Sequence, residues 1–133
     1  MAKAALGLIL FFTAFPLLAQ KVQGELACRL TKTDFVYDCM IRISRGGQPL
    51  PGATVTVGAD MPSMPMAHNV KPVKATPGKA PGEYAAKLDL EMLGEWAVKL
   101  RLRGPVNDQL ILLYEFDEKG AQPVRRGGRL PRK

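Results

Sequence analysis

The sequence predicts an all-β protein, an antiparallel β-sandwich of the immunoglobulin-like type. Apolar and polar residues alternate with a period of two in several separate stretches, which is the pattern of strands with one buried face. Glycine- and proline-rich turn signals separate these stretches, and no helical period of useful length occurs. Short strands at this spacing favour a sandwich of about seven strands, with an eight-stranded closed barrel as the weaker alternative.

The predicted strands follow one another along the chain without an intervening helix. They are expected over residues 26–30, 35–43, 54–57, 70–75, 84–91, 96–103 and 109–116. The sixth has the most regular alternation, which places Trp96 in the core. The seventh is apolar on both faces over 110–113, as expected of a strand that is covered on both sides or bears an interface.

The two ends of the chain differ from the predicted domain at 20–118. Residues 1–19 have a short positive start at Lys3 and then an almost wholly apolar stretch, which predicts a cleaved signal peptide and a periplasmic location. An uncleaved membrane anchor is the less favoured interpretation. Residues 119–133 hold six basic and no acidic residues, which predicts a disordered basic tail.

The net charge of +7 resides mainly in this tail, because residues 20–118 contain twelve basic and twelve acidic residues. The tail is interpreted either as a weak contact with an anionic membrane surface or as a solubilising end. Nucleic acid is not an expected partner, since the predicted domain carries no basic excess.

Two cysteines, Cys28 and Cys39, remain after the predicted signal peptide. In an exported protein such a pair usually forms one disulfide, here between neighbouring strands joined by the turn at 31–34. A pair of metal-binding thiolates is the alternative.

The strongest chemical motif is the run from Met61 to His68, which holds three of the six methionines and the only histidine. Thioether and imidazole groups are soft to borderline ligands, which favour Cu(I), and Ag(I) for the same reason, over hard cations. The predicted metal ligands are Met61, Met64, Met66, His68 and, from another loop, Met92.

The geometry of this run depends on its prolines. A residue before proline favours extended or polyproline backbone, so either Met64, Met66 and His68 or the pair Met61 and Met64 should share a face. Methionine packing at the open end of the sandwich is the alternative without metal. The sequence contains no triad, three-histidine zinc site or phosphate-binding glycine loop, and a binding protein is expected instead of an enzyme.

The stretch 46–109 resembles the YtkA-like domain, which is also found in FixH-type proteins. The resemblance rests on the blocks Gly47-Gln48-Pro49-Leu50, Met61-Pro62-Ser63-Met64-Pro65-Met66-Ala67-His68, Pro81-Gly82-Glu83-Tyr84, Met92-Leu93-Gly94-Glu95-Trp96 and Leu102-Arg103-Gly104-Pro105. It implies an immunoglobulin-like sandwich outside the cytoplasm, associated with copper or heavy-metal efflux or with copper-oxidase assembly.

Two functions follow as hypotheses. The first is a periplasmic Cu(I)-binding carrier or accessory protein that passes the metal to a membrane efflux or oxidase-assembly partner. The second is a metal-free interaction module, in which the methionine run and the apolar strand at 110–113 dock on such a complex.

Overall fold

The computed structural model describes residues 7, 9, 10, 21–64, 66, 67 and 69–125. The strands among them form two antiparallel sheets. The strands in these residues are β1 (Val22–Leu30), β2 (Val36–Arg45), β3 (Gln48–Pro49), β4 (Thr54–Asp60), β5 (Asn69–Lys74), β6 (Thr76–Pro77), β7 (Glu83–Asp89), β8 (Gly94–Arg103), β9 (Asp108–Asp117) and β10 (Gly120–Pro123). There is no helix in this part of the chain, and the all-β sandwich prediction is confirmed.

All seven predicted strands are present, as β1, β2, β4, β5, β7, β8 and β9. The three strands that were not predicted have only two to four residues, too few to show an alternation, and each ends in a proline. One of them, β10, lies inside the predicted basic tail, so the prediction of a disordered tail from residue 119 is wrong for this strand.

The first sheet, called sheet A, has the strand order β1-β2-β7-β6, with β3 beside the far end of β2. The second, sheet B, has the order β10-β9-β8-β4-β5. Alternate residues of both sheets point inward and form one hydrophobic core. Trp96 lies fully buried within it, as predicted.

Three tyrosine contacts join the sheets across this core. The Tyr37 ring meets Phe116 edge-on at 5.1 Å between centroids, and its hydroxyl donates to the Asp117 carbonyl at 2.7 Å. In the third contact, the Leu26 amide of β1 donates to the hydroxyl of Tyr114, a residue of β9, at 3.1 Å. Burial raises the pKa of Tyr37, and the nearby acidic Asp117 adds to the shift.

The predicted disulfide is confirmed. Cys28 of β1 and Cys39 of β2 are direct cross-strand partners, with Cα atoms 4.1 Å apart, and they are bonded. The bond closes the hairpin whose turn occupies 31–35, and Cys39 is buried in the core. The alternative of a metal-binding thiolate pair is wrong, because a disulfide provides no thiolate.

Reducing this disulfide should lower the free energy of unfolding by about 3 kcal/mol, because it closes a loop of 11 residues in the unfolded chain. Urea unfolding of the oxidised and reduced protein measures the difference. The double variant Cys28→Ala/Cys39→Ala should behave like the reduced protein. Equal midpoints for the oxidised and reduced forms would contradict the prediction.

Two predictions about side-chain exposure need correction. Phe35 does not continue the buried face of β2: it precedes the strand, has a φ of 62° and is 36% exposed. In β9, Leu110 and Leu112 point towards Gly24 of β1, whereas Ile111 is 59% exposed. The prediction that both faces of β9 are covered is therefore wrong at Ile111. The alternative, that this strand bears an interface, stays a prediction.

No helix among the described residues has the length and apolar character required to cross a membrane. The predicted signal peptide at 1–19 lies almost entirely outside the described residues, and so do residues 126–133 of the predicted tail.

Candidate functional site

The methionine run forms the connection between β4 and β5 at one end of the sandwich. The connection between β7 and β8 reaches the same end, since Asp60 at the end of β4 pairs with Ala97 near the start of β8. The β1–β2 turn is also there, because the Leu90 amide donates to the Phe35 carbonyl at 3.0 Å. We call this end, with its connections at 31–35, 61–68 and 90–93, the methionine end.

The methionine run is folded into two successive turns. The Met64 amide donates to the Met61 carbonyl at 3.0 Å, and the Ala67 amide donates to the Met64 carbonyl at 3.2 Å. Pro62 takes the second position of the first turn, where its fixed φ is favourable. Extended and polyproline backbone have no such internal hydrogen bonds, so the prediction of either backbone is wrong where these two bonds form, whereas the predicted position of His68 lies outside the described residues.

The turns divide the predicted ligands by burial. Met61 is only 4% exposed and belongs to the core, where its methyl group lies so close to Gly94 that an added Cβ would be 3.1 Å away. Met64 is partly buried against the same core. Met66 is 93% exposed. Met61 therefore serves packing, Met64 is only partly covered by the core, and Met66 is the one of the three that is almost fully exposed.

Met92 lies in the β7–β8 connection and is also partly buried against the core. Its carbonyl oxygen accepts a hydrogen bond of 3.2 Å from the indole nitrogen of Trp96. This bond ties the connection to Trp96, the largest fully buried side chain of the core. Because Gly94, two residues further on, contacts the Met61 side chain, the connection and the methionine run meet at this point.

His68, the one predicted nitrogen ligand, lies outside the described residues. In the part of the chain that is described, no three histidine, cysteine or carboxylate side chains are placed to hold a metal ion. Asp60, next to Met61, has its carboxylate 2.6 Å from the Lys99 ammonium group on the neighbouring strand. Apart from the buried Met61, the soft donors described at the methionine end are the thioethers of Met64, Met66 and Met92.

One exposed residue at this end was not recognised from the sequence. Phe35 reads as the first residue of an alternating strand, yet its left-handed backbone turns it out of the strand and leaves it partly exposed. Its position next to the turn signal at 31–34 was the available clue, because a residue that closes a turn often leaves the strand alternation.

A protein-family model described as YtkA-like matches residues 31–101, more than half of the chain. The match extends from the β1–β2 turn into β8 and includes both methionine-bearing connections. Comparisons with curated proteins and with solved structures gave no match. With the confirmed sandwich, the family match establishes that the chain belongs to the YtkA-like family.

Proposed function

We propose that this protein is a periplasmic Cu(I)-binding carrier or accessory protein of a copper efflux or copper-oxidase assembly system. Met64 and Met66 would supply thioether ligands, and Met92 would complete the set from the neighbouring connection. The observation that carries the proposal is the exposure of Met66, which is 93%. Core packing accounts for Met61 but gives no reason for an apolar, oxidisable side chain at this exposed position.

The different degrees of burial of Met64, Met66 and Met92 suit reversible binding. Met64 and Met92 are held against the core, so little conformational entropy is lost when they bind an ion. Met66 would join them as the exposed, exchangeable ligand. An open site of neutral thioethers allows a partner to replace one ligand at a time, as transfer of a metal requires.

Anaerobic competition titration of Cu(I) against a chromogenic chelator tests the proposal. The wild-type protein should bind one ion, and Met64→Leu/Met66→Leu should lower the affinity by on the order of 100-fold, about 2.8 kcal/mol. Leucine retains the apolar volume and removes the sulfur atom, so the fold should be unaffected.

Two other methionines provide matched controls. Met61→Leu removes a buried sulfur atom, and Met40→Leu removes one on the outer face of β2, outside the methionine end. Both should bind Cu(I) like the wild type. If His68 is also a ligand, affinity should fall below about pH 6.5, because the imidazole must be neutral to bind metal while thioethers do not titrate. Equal affinity for the double variant and the wild type would contradict the proposal.

A metal-free docking module is the second candidate. It is favoured by the exposure of a second apolar side chain, Phe35, at the same end as Met66. Under this alternative the wild-type protein would not compete for Cu(I), and Phe35→Ser would lower partner binding as strongly as Met66→Ser. Under the copper proposal, Phe35→Ser leaves Cu(I) affinity unchanged.

A further inference from the structure

The outer surface of sheet A has an ordered arrangement of charge that the copper proposal does not use. Side chains of β1, β2 and β7 form three rows across this surface. The upper row is Arg29, Asp38 and Lys87; the central row is Ala27, Met40 and Ala85; the lower row is Glu25, Arg42 and Glu83. Successive rows are about 6.8 Å apart, since they are two residues apart along each strand.

The upper and lower rows carry opposite charge patterns. The upper row is positive, negative, positive, and the lower row is negative, positive, negative. Within one molecule, the Lys87 ammonium group lies 3.7 Å from the Asp38 carboxylate, and the Arg42 guanidinium group lies 3.4 Å from the Glu83 carboxylate. Both pairs are at the surface, so their groups retain hydrogen-bonding capacity for charges from another molecule.

We propose that sheet A is a homodimer interface in which two copies pack face to face about a two-fold axis. The axis runs across the strands along the central row. This rotation places the upper row of one copy on the lower row of the other. Arg29 then faces the partner's Glu25, Asp38 faces the partner's Arg42, and Lys87 faces the partner's Glu83.

The three pairs formed between the upper and lower rows are all of opposite charge, and symmetry produces each pair twice. A two-fold axis along β2 gives a different result, because it would place Asp38 on the partner's Asp38 and Arg42 on the partner's Arg42. The charge pattern therefore selects one orientation and disfavours the other, which is how complementary charges specify an interface.

The central row supplies the apolar part of the interface. Ala27 and Ala85 are small, and beside Met40 there is a shallow cavity of about 620 Å³, which is also lined by Val73, Lys74 and Thr76. Met40 is partly exposed and would contact the partner's Met40 at the axis. Three strands at about 4.8 Å spacing give a small contact surface, so we expect a weak, reversible dimer.

The two-fold rotation reverses the strand direction of the second copy. The methionine ends of the two copies consequently point away from each other at opposite ends of the dimer. Neither copy contributes to the other's thioether site, so dimerisation and Cu(I) binding should be independent. Failure of one proposal therefore leaves the other standing.

Sedimentation velocity of the purified protein, at concentrations up to about 1 mM, tests the dimer. We expect a concentration-dependent dimer that weakens as salt increases. Arg42→Glu should raise the dissociation constant at least tenfold, because the new carboxylate would face the partner's Asp38. A wild-type protein that remains monomeric at all concentrations would overturn the proposal.

Exchanging the charges of residues 38 and 42 tests whether Arg42→Glu acts at the interface or by disturbing the fold. In Asp38→Arg/Arg42→Glu, the two exchanged charges again face opposite charges in the partner, so self-association should return. Mixing this variant with the wild type should yield no mixed dimer, because like charges would meet on β2. Continued loss of self-association in a folded double variant would overturn the proposal.

A second pair of variants does not alter the ion pairs. Met40→Lys places a charge at the axis and should abolish the dimer. Ile111→Lys makes the same kind of change at an exposed position of sheet B and should leave the dimer intact. If Ile111→Lys dissociates the dimer and Met40→Lys does not, the interface lies on sheet B and the proposal is wrong.

Discussion

Replacing Trp96 with alanine should lower the free energy of unfolding by about 3–5 kcal/mol, the range for removal of a large buried aromatic side chain. Trp96 is fully buried, and it is the largest side chain in the core. It lies near the start of β8, directly across from Tyr114 of β9 and beside the connection that carries Met92. Its removal would leave a cavity below the methionine end.

Trp96→Phe separates packing from hydrogen bonding. Phenylalanine fills most of the volume but cannot donate to the Met92 carbonyl, so we expect a smaller loss of about 1–2 kcal/mol. Since that bond holds the β7–β8 connection, Trp96→Phe should also weaken Cu(I) binding if Met92 is a ligand.

Urea unfolding followed by far-ultraviolet circular dichroism measures these changes, because the only tryptophan is lost in both variants. Ile111→Ala is the control, because Ile111 is exposed and its replacement should change the free energy of unfolding by less than about 0.5 kcal/mol. A loss of stability in Trp96→Ala no larger than in Ile111→Ala would show that Trp96 is not a core residue.

The parts of the fold that could be predicted are those in which alternation and burial coincide. In β8, Trp96, Val98, Leu100 and Leu102 are all buried, and the charged residues Lys99 and Arg101 alternate with the last three of them. The disulfide was predictable for a similar reason: two cysteines joined by a clear turn become cross-strand partners. Both inferences use a short stretch of sequence and the geometry of an antiparallel pair.

The parts that could not be predicted depend on contacts between distant segments. β10 is a strand because it pairs with β9, although its own sequence, Gly-Ala-Gln-Pro, has no strand pattern. The methionine run has a pattern, yet its turns are fixed by backbone hydrogen bonds and by the burial of Met61 against Gly94. The sequence alone therefore could not predict that Met61 is buried while Met66 is exposed.

Replacing Gly82 with alanine should destabilise the protein by at least about 3 kcal/mol, through backbone strain and collision together. Gly82 has a φ of 78°, and its carbonyl accepts the Ile43 amide at 2.8 Å. A Cβ at this position would lie 2.8 Å from the Ile43 carbonyl oxygen and 3.0 Å from the Leu50 amide nitrogen. These are backbone atoms, held by a 2.9 Å hydrogen bond between Leu50 and Ile43, so they cannot move aside independently.

Gly47→Ala introduces similar backbone strain without the collision, so comparing it with Gly82→Ala separates the two effects. Gly47 has nearly the same φ, 77°, but a Cβ there would meet no atom within 4 Å. Replacing Gly47 with alanine should therefore lower the free energy of unfolding by about 1–2 kcal/mol, the cost of left-handed backbone for a residue with a side chain. Urea unfolding of the two variants side by side gives the difference, which measures how rigidly the β6–β7 turn is packed against β2 and β3. Equal costs for both variants would mean that this corner of the sandwich yields to an extra methyl group.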